Sequence, residues 1–276
     1  MSPAQRVVTL VMAPLLVVAA VMGAVVIVLT VGGGAETANR GSGGDGVDRS
    51  EAGPLAPPGP PSAAVLDDAR PSAGLITATG CPTESIGSGA VLEAGVITNA
   101  HVVAGATEVL VTATDGRQYP AEIRVFDPVL DLALLDIGHV SLPPLVVAEP
   151  HSGTETVALV RDDLDAGAPL QPLPLLIERT INIFIADIYG AGSHKRRGIE
   201  VRGDIGPGDS GAGIIDGNGA VVGVVFSASR RSVDVGYAIS PTELAGFAAA
   251  RSSTPVDSGS CLRGRAPLLR PVTRRE

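Results

Sequence analysis

The chain has 276 residues, 45% of them hydrophobic, with 35 glycines and a formal net charge of -9 at pH 7, enough for one sizeable domain with appendages. The acidic balance and a single lysine, Lys195, exclude a general nucleic-acid binder, which neutralises phosphates with clustered Lys and Arg. Val, Ile, Thr and Gly recur in short runs separated by Gly, Asp, Asn and Pro, which argues for a mainly β domain.

In chain order, residues 1–6 precede an apolar run at 7–31 that no charge interrupts. About 20 apolar residues suffice to cross a bilayer core, and a signal peptide needs only roughly 7–15. The run is therefore expected to be an uncleaved anchor with its short end in the cytoplasm. The rival is a signal segment cut near Ala35, which would give a secreted protein. Either way the rest is exported. Residues 32–62, "GGGAETANRGSGGDGVDRSEAGPLAPPGPPS", hold too few apolar side chains to offset chain entropy and read as a flexible tether. The folded domain is expected over 63–262, with a basic tail at 263–276.

Strand signals fill that domain. "SGAVLEAGVITNAHVV" reads as two strands around Glu93-Ala94-Gly95, and "EVLVTATDGRQYPAEIRVF" as a hairpin with Asp115-Gly116 in a primed turn. "PVLDLALLDI", "TETVALV", "RTINIFIADIY", "GIEVRG", "AGIIDGNGAVVGVVFS" and "DVGYAIS" supply the later strands. Ser240 as cap, Pro241 at the first helical position and Glu243 closing a capping box start a final helix, "LAGFAAA". The spacing suggests an all-β domain of two packed six-stranded barrels with a C-terminal helix. Cys81 and Cys261 stand near its two ends. In an exported chain an even pair favours a disulfide over two buried thiols, and a metal site would want more ligands at closer spacing.

The chemistry concentrates in "GPGDSGAGII", where Ser210 sits between an aspartate and a glycine. A serine hydroxyl at neutral pH needs a base before it can attack. Of the four histidines, His139 and His151 lie in proline-rich connections and His194 in a basic hairpin tip, "GSHKRRG", so all three read as loop residues. His101 ends the strand "GVITNAHVV", where an imidazole can emerge from a rigid strand end into a cleft. A carboxylate on its Nδ1 would fix the tautomer. Asp131, opening "DLALLDI", is preferred for that role because the strand start returns toward His101. Asp136 in the same strand is the competitor.

"TNAHVV", "DLALL" and "GDSG", in the order His, Asp, Ser, resemble the signature segments of trypsin-like serine proteases of the chymotrypsin fold. Cys81 before "SIGSGAVLEAGVITNAHVVAG", the strand "GVVFSAS" and the late Cys261 resemble, within that group, the membrane-tethered actinobacterial proteases of the mycobacterial acid-resistance type. The resemblance covers about residues 75–262. Those relatives usually carry a multi-helix membrane part, whereas one apolar segment stands here, and a PDZ domain is not expected after Cys261.

The resemblance implies a serine endopeptidase that needs no cofactor or metal. Ser210 would attack the peptide carbonyl, His101 would shuttle the proton, and Asp131 would hold the imidazole. The N–H groups of Gly208 and Ser210 would receive the oxyanion. Phe226, Ser227 and Ala228 would line the cleft, adding an extended protein or peptide substrate as a strand. Asp204, by counting, aligns with the base of the primary specificity pocket and would favour Arg or Lys there, against a structural or solvent-facing aspartate. The family commonly has "GDSGGP", whereas Gly211-Ala212-Gly213 follow the serine here. In many relatives the position of Asp209 pairs with an N-terminus released by cleavage. "ARPSAGLITATG" has no basic residue directly before Ile or Val, so Asp209 is expected to find an internal partner. The alternative function is a catalytically silent, protease-like binding domain at the cell envelope. An esterase is disfavoured because "GDSGA" is not a G-x-S-x-G elbow.

Overall fold

The computed structural model describes residues 57–161, 170–229 and 232–262. The expected anchor at 7–31, the end at 1–6, the tether up to residue 56 and the tail at 263–276 lie outside the described residues. Among those described, no helix is long and apolar enough to cross a membrane.

A helix that the sequence reading did not anticipate, α1 (Ala63–Ala69), opens the domain, with Ser62 Oγ accepting the Val65 N–H at its start. The expected tether ends before residue 62, because Gly59 O already lies against Gly217. The first half of the domain comprises β1 (Ala73–Thr79), β2 (Ser85–Leu92), β3 (Gly95–Thr98), the single turn α2 (Ala100–Val103), β4 (Glu108–Ala113), β5 (Gln118–Pro120), β6 (Glu122–Asp127) and β7 (Leu132–Asp136). The second half comprises β8 (Glu155–Arg161), β9 (Leu170–Ile185), β10 (His194–Arg202), β11 (Gly213–Ile215), β12 (Val221–Ala228), β13 (Val235–Ile239) and α3 (Pro241–Ala249).

All pairings within the two sheets are antiparallel. The first sheet runs β5-β4-β1-β2-β3-β7-β6. It has seven strands where six were expected, the extra one being the three-residue β5. The second closes as a six-stranded barrel, β10-β13-β12-β11-β8-β9. Between them, Leu145 bridges to Leu92 of the first sheet and Val147 to Val221 of the second, so the connecting chain is stitched to both.

Each sheet curls around its own core, the first built on Ile76, Val96, Val111 and Leu135, the second on Leu173, Ile199, Val201 and Ile214. A third cluster forms the seam. It joins Ile97, Leu132 and Leu134 of the first sheet to Val224, Phe226 and Ile239 of the second, and α3 inserts Leu244 and Phe247 there. β7 is therefore apolar on both faces: Ala133 and Leu135 fill the first core while Leu132 and Leu134 fill the seam. That accounts for its unbroken hydrophobic run.

Two local expectations change. Of Asp115 and Gly116 only Gly116 has positive φ, so the β4–β5 turn is not primed. It is a three-residue loop in which Gly116 N–H donates to Ala113 O and Ala113 N–H to Arg117 O. The capping box of α3 does not close either. Ser240 Oγ makes no cap bond, and Glu243 Oε1 accepts the Arg197 N–H of β10 at 2.8 Å. Tertiary pairing has captured the carboxylate.

The disulfide is present as expected, joining Cys81 to Cys261 with Cα atoms 5.8 Å apart across a separation of 180 residues. It ends a C-terminal strap that runs along β6, where Val256 N–H donates to Ile123 O and Ser252 N–H to Arg124 O.

Candidate active site

β3 ends at Thr98, and His101 lies three residues beyond it, in α2 rather than at the strand end. The ring is 8% exposed and the Asp131 carboxylate faces it across the sheet. Asp131 Oδ2 lies 2.8 Å from His101 Nδ1, and its Oδ1 accepts the His101 backbone N–H at 2.9 Å. Two contacts to one residue fix the acid relative to both the ring and its backbone. With Nδ1 facing the carboxylate, Nε2 is the ring nitrogen left for a substrate-side proton.

Asp131 has φ +59°, and it is the one non-glycine residue with positive φ among those described. Aspartate enters the left-handed region more readily than most residues, yet such positions persist only where surrounding bonds over-determine them. Here they do. Asp127 Oδ1 accepts the N–H groups of Val129 and Leu130, and Asn99 Nδ2 donates to Asp131 O at 2.9 Å. Asp136, the rival acid, is engaged elsewhere. It accepts the Gly138 N–H and the Arg251 and Arg124 side chains, which together hold its carboxyl below the usual range against the opposing effect of burial.

Ser210 lies in the second half, on the loop before β11, and is half-buried. β2 of the first sheet grips this loop. Ser88 N–H donates to Ser210 O at 2.7 Å, and Ser88 Oγ donates to Gly208 O at 2.9 Å. Gly211, φ +91°, packs so closely that a Cβ would collide with Ser88 O and Thr98 Oγ1. That is why a glycine follows the serine.

Asp209 is buried, and its Oδ2 accepts the Gly206 N–H at 2.8 Å, so a backbone donor is among its internal partners. The N–H groups of Asp209, Gly211 and Ala212 all have backbone acceptors. Those of Gly208 and Ser210 have none among the described residues. Ser210 Oγ makes no hydrogen bond to the His101 ring among the described residues.

The remaining expected residues fall as follows. Asp204 is exposed, and its neighbour Ile205 turns inward against Gly236. Phe226, expected at the cleft wall, has its ring in the seam, 6.5 Å from the Tyr237 ring and beneath the Arg196 guanidinium. Ser227 is half-buried and Ala228 exposed. β11 pairs with β12 no further than Val224, and Gly211 N–H reaches Val225 O. Beyond that point β12 has β13 on one edge only. His139 and His151 are exposed, as expected of loop residues, whereas His194 begins β10. The hairpin tip precedes it. Ser88, Asn99 and Arg196 were not singled out from sequence, because each works through backbone carbonyls that no side-chain motif announces.

Two curled antiparallel sheets, a buried His-Asp pair on one and a glycine-flanked serine on the other define the class of trypsin-like peptidases. The Trypsin-like peptidase domain family matches residues 87–224, half of the 276-residue chain, and the chain belongs to that family. Among individual relatives, serine protease Rv3671c of Mycobacterium tuberculosis is 38% identical over 171 residues, covering 60% of this chain and 42% of that one. The chain thus spans about two fifths of the length of that relative. The fold is similar to the crystal structure of the Rv3671c protease in its active form, with a TM-score of 0.68 and 33% identity over 76% of this chain and 96% of that one. It is also similar to the HtrA-type protease AlgW with tripeptide, TM-score 0.55 and 26% identity over 67% of this chain and 61% of that one.

Proposed function

We propose that this chain is a serine endopeptidase acting on exported proteins or peptides. Ser210 Oγ attacks the peptide carbonyl. His101 Nε2 takes the proton and returns it to the leaving amine, and Asp131 stabilises the imidazolium formed in between. The observation that carries the reading is the pairing of a doubly held His101–Asp131 couple with two N–H groups, Gly208 and Ser210, that lack acceptors on a loop whose other donors are engaged. Donors already in place cost no reorganisation when negative charge develops on the carbonyl oxygen, and losing one such donor typically costs about 10²–10³ in kcat. The one-sided edge of β12 from Phe226 to Ala228 takes the substrate as an added strand through its backbone. The Phe226 ring plays no part in the cleft wall.

An extracytoplasmic site fits the Cys81–Cys261 disulfide, since such bonds persist in oxidising compartments. Residues 7–31 serve as a single-pass membrane anchor in this reading. A catalytically silent binding domain is the second reading, favoured by the missing Ser210–His101 hydrogen bond. Catalytic hydrogen bonds are often long before substrate arrives, so the first reading keeps precedence. Turnover of an unstructured protein substrate by the wild type, lost in Ser210→Ala with unfolding temperature unchanged, is the expected outcome. Equal turnover by the two proteins would refute the assignment.

A further inference from the structure

Arg196 belongs to β10 of the second barrel, yet its guanidinium serves the first. It is 3% exposed, and its Nη1 donates to Leu130 O while Nη2 donates to Ala186 O, both at 3.0 Å. The guanidinium carbon lies 5.8 Å from the centroid of the Phe226 ring. The same fork therefore clamps the loop that bears Asp131 to the tip of the β9–β10 hairpin. A second bond follows that path, from Ile188 N–H to Pro128 O at 3.1 Å.

The position of the first bond matters. The φ and ψ of a residue are set by the two peptide planes that flank it. Around Asp131 each plane is held by one side chain: the preceding plane through Leu130 O by Arg196, the following one through Asp131 O by Asn99. A left-handed aspartate held on both sides presents its carboxylate in one direction, toward the ring and backbone of His101.

Burying a guanidinium is costly, and a well-packed hydrophobic side chain often serves stability as well or better. Arg196 Nε, also buried, has no acceptor among the described residues. Burial pushes the guanidinium below its usual range, while Asp131, Asp127, Asp187 and Glu243 pull it back up.

We infer that Arg196 is a positioning residue for Asp131, reaching from the second barrel to set the angle at which the carboxylate meets His101. The inference rests on the peptidase reading above. A misaligned acid slows proton transfer without altering how the β12 edge binds peptide, so the effect belongs in kcat.

The test compares wild type with Arg196→Lys and Arg196→Ala on one neutral peptide. Arg196→Lys keeps the charge but cannot span both carbonyls. Its kcat is expected to fall about 10- to 100-fold with KM within about twofold, as for a displacement of the order of 1 Å. The His101 Nδ1 proton resonance should shift or broaden in step. Guanidinium ion at millimolar concentration should restore part of the turnover of Arg196→Ala, a response that a general loss of packing would not give.

Wild-type kcat in folded Arg196→Lys would overturn the inference, as would a raised KM with kcat intact or an unchanged Nδ1 resonance. Should Arg196→Ala fail to fold, the Lys variant decides the matter alone. Wild-type turnover in the same assay bears on the peptidase reading by itself, so the two failures are distinguishable.

Discussion

The two barrels prepare their halves of the site in opposite ways. On the first, the contacts that aim the Asp131 carboxylate are made: it takes both the ring and the backbone of His101, and Asn99, Asp127 and Arg196 hold the loop behind it. On the second, the carbonyls of Gly208 and Ser210 are gripped by Ser88 while the N–H groups of the same two residues are left without acceptors. In the proposed mechanism a base has to be aimed before reaction begins, so the bonds that orient it are already made. An oxyanion arrives only with the transition state, so its donors must be held ready yet unspent. Bonds made around the carboxylate and donors left open beside Ser210 are what the proposed base and oxyanion roles require.

The largest effect that could break this division comes from the triad residues. Ser210→Ala, His101→Ala and Asp131→Asn should each lower kcat by about 10³-fold or more, and pairs of them should cost little beyond the worst single change, because the three act as a unit. Steady-state kinetics on one peptide checks this. Additive losses would mean that the halves work independently.

Next in size is the bridge. Opening Cys81–Cys261 frees a loop of 180 residues and should destabilise the domain by about 5 kcal/mol in the chain-entropy model. Denaturant titration with and without reductant measures the loss. Two alkylatable thiols in the native exported protein would contradict the pairing. A smaller change sharpens the contrast on the nucleophile side. Ser88→Ala removes the Oγ bond to Gly208 O but keeps the backbone bond to Ser210 O, and kcat should fall about tenfold with KM little changed.

Smallest is Asp136→Asn. Its carboxyl is held low by the Gly138 N–H, Arg251 and Arg124, so the stabilisation is present above the ordinary carboxylate range and disappears as pH falls through the depressed value. Two partly exposed ion pairs make the change worth about 1 kcal/mol. Chemical denaturation at neutral pH and at pH 2 should show wild type and variant converging in acid. Turnover by Asp136→Asn should stay near wild type, the opposite of Asp131→Asn, and its collapse would transfer the acid role.

Much of the fold is legible in the sequence. The three segments in His, Asp, Ser order carry the fold class, and of the two aspartates weighed beside His101 it is Asp131, not Asp136, that lies against its ring. The strands of the second barrel followed from β-branched runs between turn residues. What escaped has a common cause. Arg196 sits in "HKRRG", which by composition is a solvent-facing tip. On β10, Lys195 and Arg197 are exposed while Arg196 is buried, whereas the buried apolar residues Ile199 and Val201 carried back by strict alternation would place Arg196 outside. The Ser240 capping box was legible as a pattern but lost to a tertiary bond from Arg197 to Glu243. The Phe226 ring entered the seam because an antiparallel strand hides alternate side chains while its backbone stays available at the edge.

The central claim is that a held base and open donors converge on a reactive Ser210. A fluorophosphonate probe tests it most directly, since its phosphonyl oxygen occupies the oxyanion position and its phosphorus is attacked by an activated serine with loss of fluoride. The account expects one covalent adduct on the native protein, mapped by mass spectrometry to Ser210 and strongly suppressed in His101→Ala. An intact, disulfide-bonded protein that unfolds cooperatively yet takes up no probe, or takes it up at another residue, would contradict it.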